Sequence, residues 1–87
     1  MILCKVTGSV IATRKDEKLT GCKFLVVEPL HQGSPFVAVD NVGAGVDEIV
    51  LVVYGSGARA AYPGTGVGEA PIDAAIVGIV DEGTYKA

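Results

Sequence analysis

The chain has no tryptophan, one histidine, two cysteines and no apolar run longer than six residues. A helical membrane span needs ~20 apolar residues in a row, so none is expected. His31 stands in a turn-like stretch, His31-Gln32-Gly33-Ser34-Pro35, with no second histidine or cysteine nearby to complete a metal set. Lysine and arginine number seven against ten acids, for a net charge of −3 and a pI of about 4.9. They are scattered, with one small cluster at Arg14, Lys15 and Lys18. A surface that tracks phosphates needs a concentrated basic face, so no nucleic-acid partner is expected. Paired chemistry is missing too. Asp47 and Glu48 are adjacent, as are Asp81 and Glu82, and neighbours on a strand face opposite ways. Ser56 has no histidine–aspartate partner pattern. The expectation is therefore no enzyme, with no catalytic residue, no cofactor and no metal. Met1 leads straight into a strand-like segment, so no signal peptide is expected and a cytosolic chain is the default reading.

What the chain does have is aliphatic side chains and turns. Of its 87 residues 49% are apolar, valine is prominent, and 12 glycines and 4 prolines punctuate the rest. β-branched residues favour strands. A chain of this length makes one domain, taken here as 1–87, and buries roughly 60–65% of its unfolded surface, a marginal core without disulfides, metal or oligomerisation. Ile2–Thr13 alternates, with Ile2, Cys4, Val6, Val10 and Ala12 on one face and Gly8 marking a bend. Arg14–Lys18 reads as a solvated hairpin loop, with a contact point for a partner's edge as the other reading. Gly21–Leu30 follows, apolar on both sides in its middle and stopped by Pro29. That hairpin sets Cys4 opposite residues near 30 and Cys22 opposite residues near 12, too far apart for a disulfide.

The centre of the chain is Phe36–Arg59, FVAVDNVGAGVDEIVLVVYGSGAR. Two strands, Phe36–Asp40 and Ile49–Tyr54, each run into a glycine-bearing turn, Asp40–Gly45 and Gly55–Arg59. Six apolar residues in a row at Ile49–Tyr54 require both faces of that strand to leave water, and a small barrel covers only one by itself. Gly43, Ala44 and Gly45 carry no bulky side chain, so another backbone can approach closely. Arg59 stands alone in an apolar neighbourhood, with five donors suited to carboxylates or carbonyls across an interface. Gly55–Tyr62 reads as a short helical turn with Ser56 as N-cap and Pro63-Gly64 as stop. Gly55-Ser56-Gly57-Ala58-Arg59-Ala60 fits G-x-G-x-x-A after a strand, but a dinucleotide site needs a longer helix inside a βαβ unit. A loop over Thr65–Pro71 and a last strand, Ala74–Asp81, complete the chain. Five strands with no helix long enough for a parallel crossover give an all-β fold, a small five-stranded OB-like β-barrel with one short helical turn. The turn falls one connection later than in the usual OB plan.

Several separated motifs, in order, resemble the EutN/CcmL family of bacterial microcompartment vertex proteins. They are MILCKVTGSVIATRKDEKLTG at the start, GCKFLVVEPL, VAVDNVGAGVDEIVLVVYGSGAR and PIDAAIVGIVD, spanning Met1 to Asp81. The resemblance implies a cyclic pentamer that caps the five-fold vertices of a polyhedral shell in the bacterial cytoplasm, a homopentamer flanked by hexameric shell proteins, with no catalysis of its own and no membrane partner. A six-fold ring would keep the family and change the vertex geometry. Asp40, Asn41, Gly43, Ala44, Gly45 and Arg59 are then expected at the subunit interface or pore rim. Asp47 stands where the family commonly has glycine. The competing reading is an OB-like binding module for nucleic acid or oligosaccharide, which would show exposed aromatic platforms and a basic groove.

Overall fold

The computed structural model describes residues 1–61 and 71–84. It contains β1 (Ile2–Val10), a 3-10 turn at Glu17–Leu19, β2 (Lys23–Pro29), β3 (Phe36–Asp40), β4 (Ile49–Tyr54), α1 (Gly55–Ala61) and β5 (Ala74–Ile79). The strands close into one barrel in the order β1-β2-β3-β5-β4. β3 and β4 have the expected bounds. β1, β2 and β5 are shorter than expected, β1 by three residues at its end, β2 by Gly21, Cys22 and Leu30, and β5 by Val80 and Asp81. The expected stop at Pro63-Gly64 and the loop from Thr65 to Ala70 lie outside the described residues. No helix among the described residues is long and apolar enough to cross a membrane.

Alternation explains the core. Cys4 and Val6 of β1, Leu25 and Val27 of β2, Ala38 of β3, Val50 and Val52 of β4, and Ala74 and Ile76 of β5 fill the barrel, none more than 4% exposed. Successive strand residues point to opposite faces, so these are every second residue of each strand. A second cluster lies outside the barrel, where Ala58 of α1 and Ile72 pack with Val39 and Ala75, joined by Leu19, Cys22, Phe24 and Val53. The helix thus covers the outer faces of β3 and β5 and the last turn of β4. Ile49 and Leu51, outward on β4, remain half-buried.

Two expectations change. Alternation puts Val10 and Ala12 on one face of β1 with Ile2, Cys4 and Val6, but Val10 is 36% exposed and the strand stops there. The cause is a bulge. Val6 pairs with Val27, which faces in, whereas Gly8 pairs with Val26 and Val10 with Phe24, which face out. One extra residue reverses the phase of everything after it. The bend expected at Gly8 is this irregularity. Secondly, β3 and β5 are parallel, paired at Val39↔Ala75 and Asp40↔Ile76, although parallel crossovers were excluded for lack of a long helix. Two register pairs suffice to close the barrel, and β4 with α1 supplies the connection. The hairpin register came out as expected: Cys4 lies opposite Pro29, and both cysteines are free.

Candidate functional site

β2 and β3 pair with Lys23 directly opposite Asp40, at the end of the ladder where the first glycine turn begins. The Asp40 side chain is 1% exposed. Its Oδ1 accepts from the Val42 N–H at 3.1 Å, the turn geometry aspartate favours, and its Oδ2 lies 3.3 Å from Lys23 Nζ. The same ammonium donates to the Ala44 carbonyl at 2.7 Å. A buried carboxylate is costly unless paired and hydrogen-bonded, and here it is both. Gly43 adopts φ +80°, a conformation open to glycine, which turns the chain so that the Ala44 side chain enters the barrel core at 1% exposure.

The far side of the turn is held as firmly. The Gly45 N–H donates to Glu48 Oε1 at 2.7 Å, and the Glu48 N–H donates to the Gly45 carbonyl at 3.2 Å. Val46 and Asp47 form a turn ahead of β4, with Asp47 at φ +77°. Its N–H donates to the Val6 carbonyl at 2.8 Å, and the Val6 N–H donates to the Glu48 carbonyl at 2.9 Å, extending the ladder beside β1. The left-handed backbone accounts for the departure noted at Asp47: aspartate is among the few non-glycine residues that accept it. Lys5 Nζ lies 3.8 Å from Asp47 Oδ1, but both are exposed and the pair contributes little.

The second glycine turn meets the first. Asn41 Nδ2 donates to the Ala61 carbonyl, the last of α1. Gly55, at φ +60°, turns β4 into α1, and its N–H donates to the Asp73 carbonyl at 2.9 Å. Ser56 lies inside the helix rather than capping it. Arg59 is half-buried, with Nη1 donating to the Ile72 carbonyl at 3.5 Å, so one donor ties α1 to the approach to β5. The G-x-G-x-x-A stretch lies within a seven-residue helix between two antiparallel strands, β4 and β5, which is not the parallel βαβ unit a pyrophosphate site requires.

Of the six residues expected at one site, Asp40, Asn41, Gly43, Ala44 and Gly45 form a single fixed loop, and Arg59 stands on the helix that Asn41 anchors. Asp40 and Ala44 are occupied within the subunit; Asn41 and Gly43 are exposed. Sequence reasoning missed Lys23, because its place opposite Asp40 is set by the β2–β3 register and not by any local pattern. It also missed Val42 and Val46, 40% and 55% exposed, the apolar side chains that flank the glycines. Burial pushes the Cys4 thiol up from its ordinary 9.0, which keeps it a protonated core hydrophobe. The arrangement presents a stiff, mostly apolar backbone surface, suited to being packed against rather than to moving protons.

The chain matches the model of the family described as "Ethanolamine utilisation protein EutN/carboxysome" over residues 1–81. It is 48% identical to the carboxysome shell vertex protein CcmL of Thermosynechococcus vestitus over 93% of this chain and 84% of that one. Among solved structures, the pentameric microcompartment shell protein GrpN from Rhodospirillum rubrum superposes with a TM-score of 0.81 at 49% identity, covering 93% of this chain and 94% of that one. The pentameric shell protein of the RMM microcompartment superposes with a TM-score of 0.86 at 39% identity, covering 100% and 98%.

Proposed function

The chain belongs to the EutN/CcmL family, and from that membership together with the loop geometry we propose that it is a vertex subunit of a bacterial microcompartment shell in the bacterial cytoplasm, five copies of which close a ring that caps a corner of the polyhedron. The observation that carries this reading is the likeness to a pentameric shell protein across nearly the whole of both chains, at 49% identity. The physical chemistry of the subunit points the same way. β4 fills the core with Val50 and Val52, while Ile49, Leu51 and Tyr54 keep apolar area in water that neighbouring subunits would remove.

Its role is architectural, without catalysis, and its neighbours in the shell are hexameric proteins. A ring uses a heterologous interface, in which one surface of each subunit meets a different surface of the next. The loop Asp40–Gly45 and Arg59 contribute to that contact or to the rim of the central pore. Support comes from the way the loop is fixed on both sides before any partner arrives, since a preorganised surface loses less entropy on association. The alternative, an OB-like binder of nucleic acid or oligosaccharide, shares the strand order but is not favoured by an acidic chain with 6% aromatics.

Light-scattering mass tests the reading. Five copies of an 8.9 kDa chain give 5 × 8.9 = 44.5 kDa. A monomer at 8.9 kDa would sink it, and six copies, 6 × 8.9 = 53.4 kDa, would keep the family and overturn the vertex. Arg59→Ala is expected to lower the pentamer fraction at a given protomer concentration; an unchanged mass and melting temperature would remove Arg59 from the interface.

A further inference from the structure

The outside of the barrel carries two unlike features. One is a hollow of about 540 Å³ where the middle of β1, the start of β4 and the end of β5 meet. Ile49 and Val80, both on the outward face, give it an apolar floor, and Asp47, Glu48, Asp81 and Glu82 line it, with Lys5 the cation among them. Four acids and one lysine sum to −3. The remaining six acids (10 − 4) and six cations (7 − 1) cancel, so the whole formal charge of the chain is gathered in this hollow. A concave site with a large excess of one sign focuses its field outward.

The other feature is the tip of the β1–β2 hairpin. Ile11 is 92% exposed, and Val10 beside it is 36% exposed. The bulge that turns Val10 outward leads into Ile11, and the exposed cations Arg14 and Lys15 follow within four residues. Ile11 is six residues beyond Lys5 along one extended segment, roughly 20 Å at about 3.3 Å per residue. A subunit's own tip therefore does not reach its own hollow.

The geometry points to a head-to-tail contact between copies of this chain, in which the Ile11 tip of one subunit seats in the acidic hollow of the next. Isoleucine meets the floor of Ile49 and Val80, and Arg14 and Lys15 meet Asp81, Glu82 and Asp47. Apolar core and charged rim are the usual anatomy of an interface, and the complementary signs set its register. The two surfaces differ and lie on separate parts of the barrel, as a closing ring requires. This inference rests on the ring reading above and names its surfaces.

Charge at position 11 tests it, because Ile11 is so exposed that neither change should affect folding of the subunit. Ile11→Glu and Ile11→Lys are compared with wild type by far-UV circular dichroism and by light scattering over a dilution series. The glutamate variant should need a protomer concentration at least about tenfold higher than the lysine variant to hold the ring, since only the former meets like charge. In an Asp81→Lys/Glu82→Lys background the order should invert. A pentameric Ile11→Glu variant at wild-type affinity would overturn the contact. Equal loss for both variants, or no inversion in the reversed background, would put Ile11 in some other interface and overturn its seat in the hollow. A wild type that is monomeric would instead overturn the ring itself.

Discussion

Replacing Lys23 by methionine keeps the aliphatic stem and removes the ammonium that ties the central loop to the barrel. Two interactions go at once. The Asp40 carboxylate, with its side chain 1% exposed, loses the cation at 3.3 Å, and the Ala44 carbonyl loses a donor at 2.7 Å. Removing one partner of a fully buried pair costs about 3–5 kcal/mol. Lys23 is itself 53% exposed and Val42 N–H still serves the carboxylate, so water screening cuts that to about 1–2 kcal/mol. The carbonyl adds about 0.5–1.5 kcal/mol. The sum, about 1.5–3.5 kcal/mol, should lower the melting temperature by roughly 6–28 °C in a domain of this size. Stability of an oligomer depends on protomer concentration, so wild type, Lys23→Met, Asp40→Asn and the double variant are compared by thermal and urea unfolding at one fixed concentration. The double variant should cost less than the sum of the singles by at least about 1 kcal/mol. A loss below about 0.5 kcal/mol for Lys23→Met, or additive singles, would refute the claim that this ion pair fixes the loop.

Asp47→Gly should raise stability by about 0.5–1 kcal/mol, because glycine takes φ +77° without the Cβ clash, while Asp47→Val should lower it by at least about 1 kcal/mol. Urea midpoints for the pair check this, and a destabilised glycine variant would mean the side chain matters more than the backbone. Cys4 supplies a pH test. Its folded-state thiol is raised above the ordinary 9.0 by burial, so its contribution is intact below that pH and is lost as pH climbs past it, by at most about 1.4 kcal/mol per pH unit. The stability difference between wild type and Cys4→Ala should therefore shrink from pH 8 towards pH 10, and a constant difference would show that Cys4 ionises as readily when folded.

Much of the architecture could be read from residue order. The bounds of β3 and β4 and the pairing of Cys4 near position 30 follow from period-two alternation and glycine- or proline-bearing breaks, which are local. So does a helix too short for a dinucleotide site. Six apolar residues at Ile49–Tyr54 already implied something on both faces of that strand; the fold puts the barrel core on one and, in part, α1 on the other. The count of five subunits came from family likeness and from no pattern of spacing.

Other features depend on residues far apart in the chain, and these only the folded barrel decided. Gly8 marks a bend in the sequence but does not announce that the strand gains a residue there, and that bulge sends Val10 outward and leaves Ile11 in solvent. The parallel pairing of β3 with β5 is a condition of closing the sheet, not a propensity of either strand. Ala44 looked like bare backbone for a neighbour and instead plugs the core, because Gly43 turns it inward. Lys23 and Asp40 are 17 positions apart and meet only through the β2–β3 register (40 − 23 = 17). By itself the sequence determined which segments are strands and that they need company. The tertiary structure decided which of their faces the subunit keeps for itself, because a side chain's face depends on register and closure, and both are set by the partner strand.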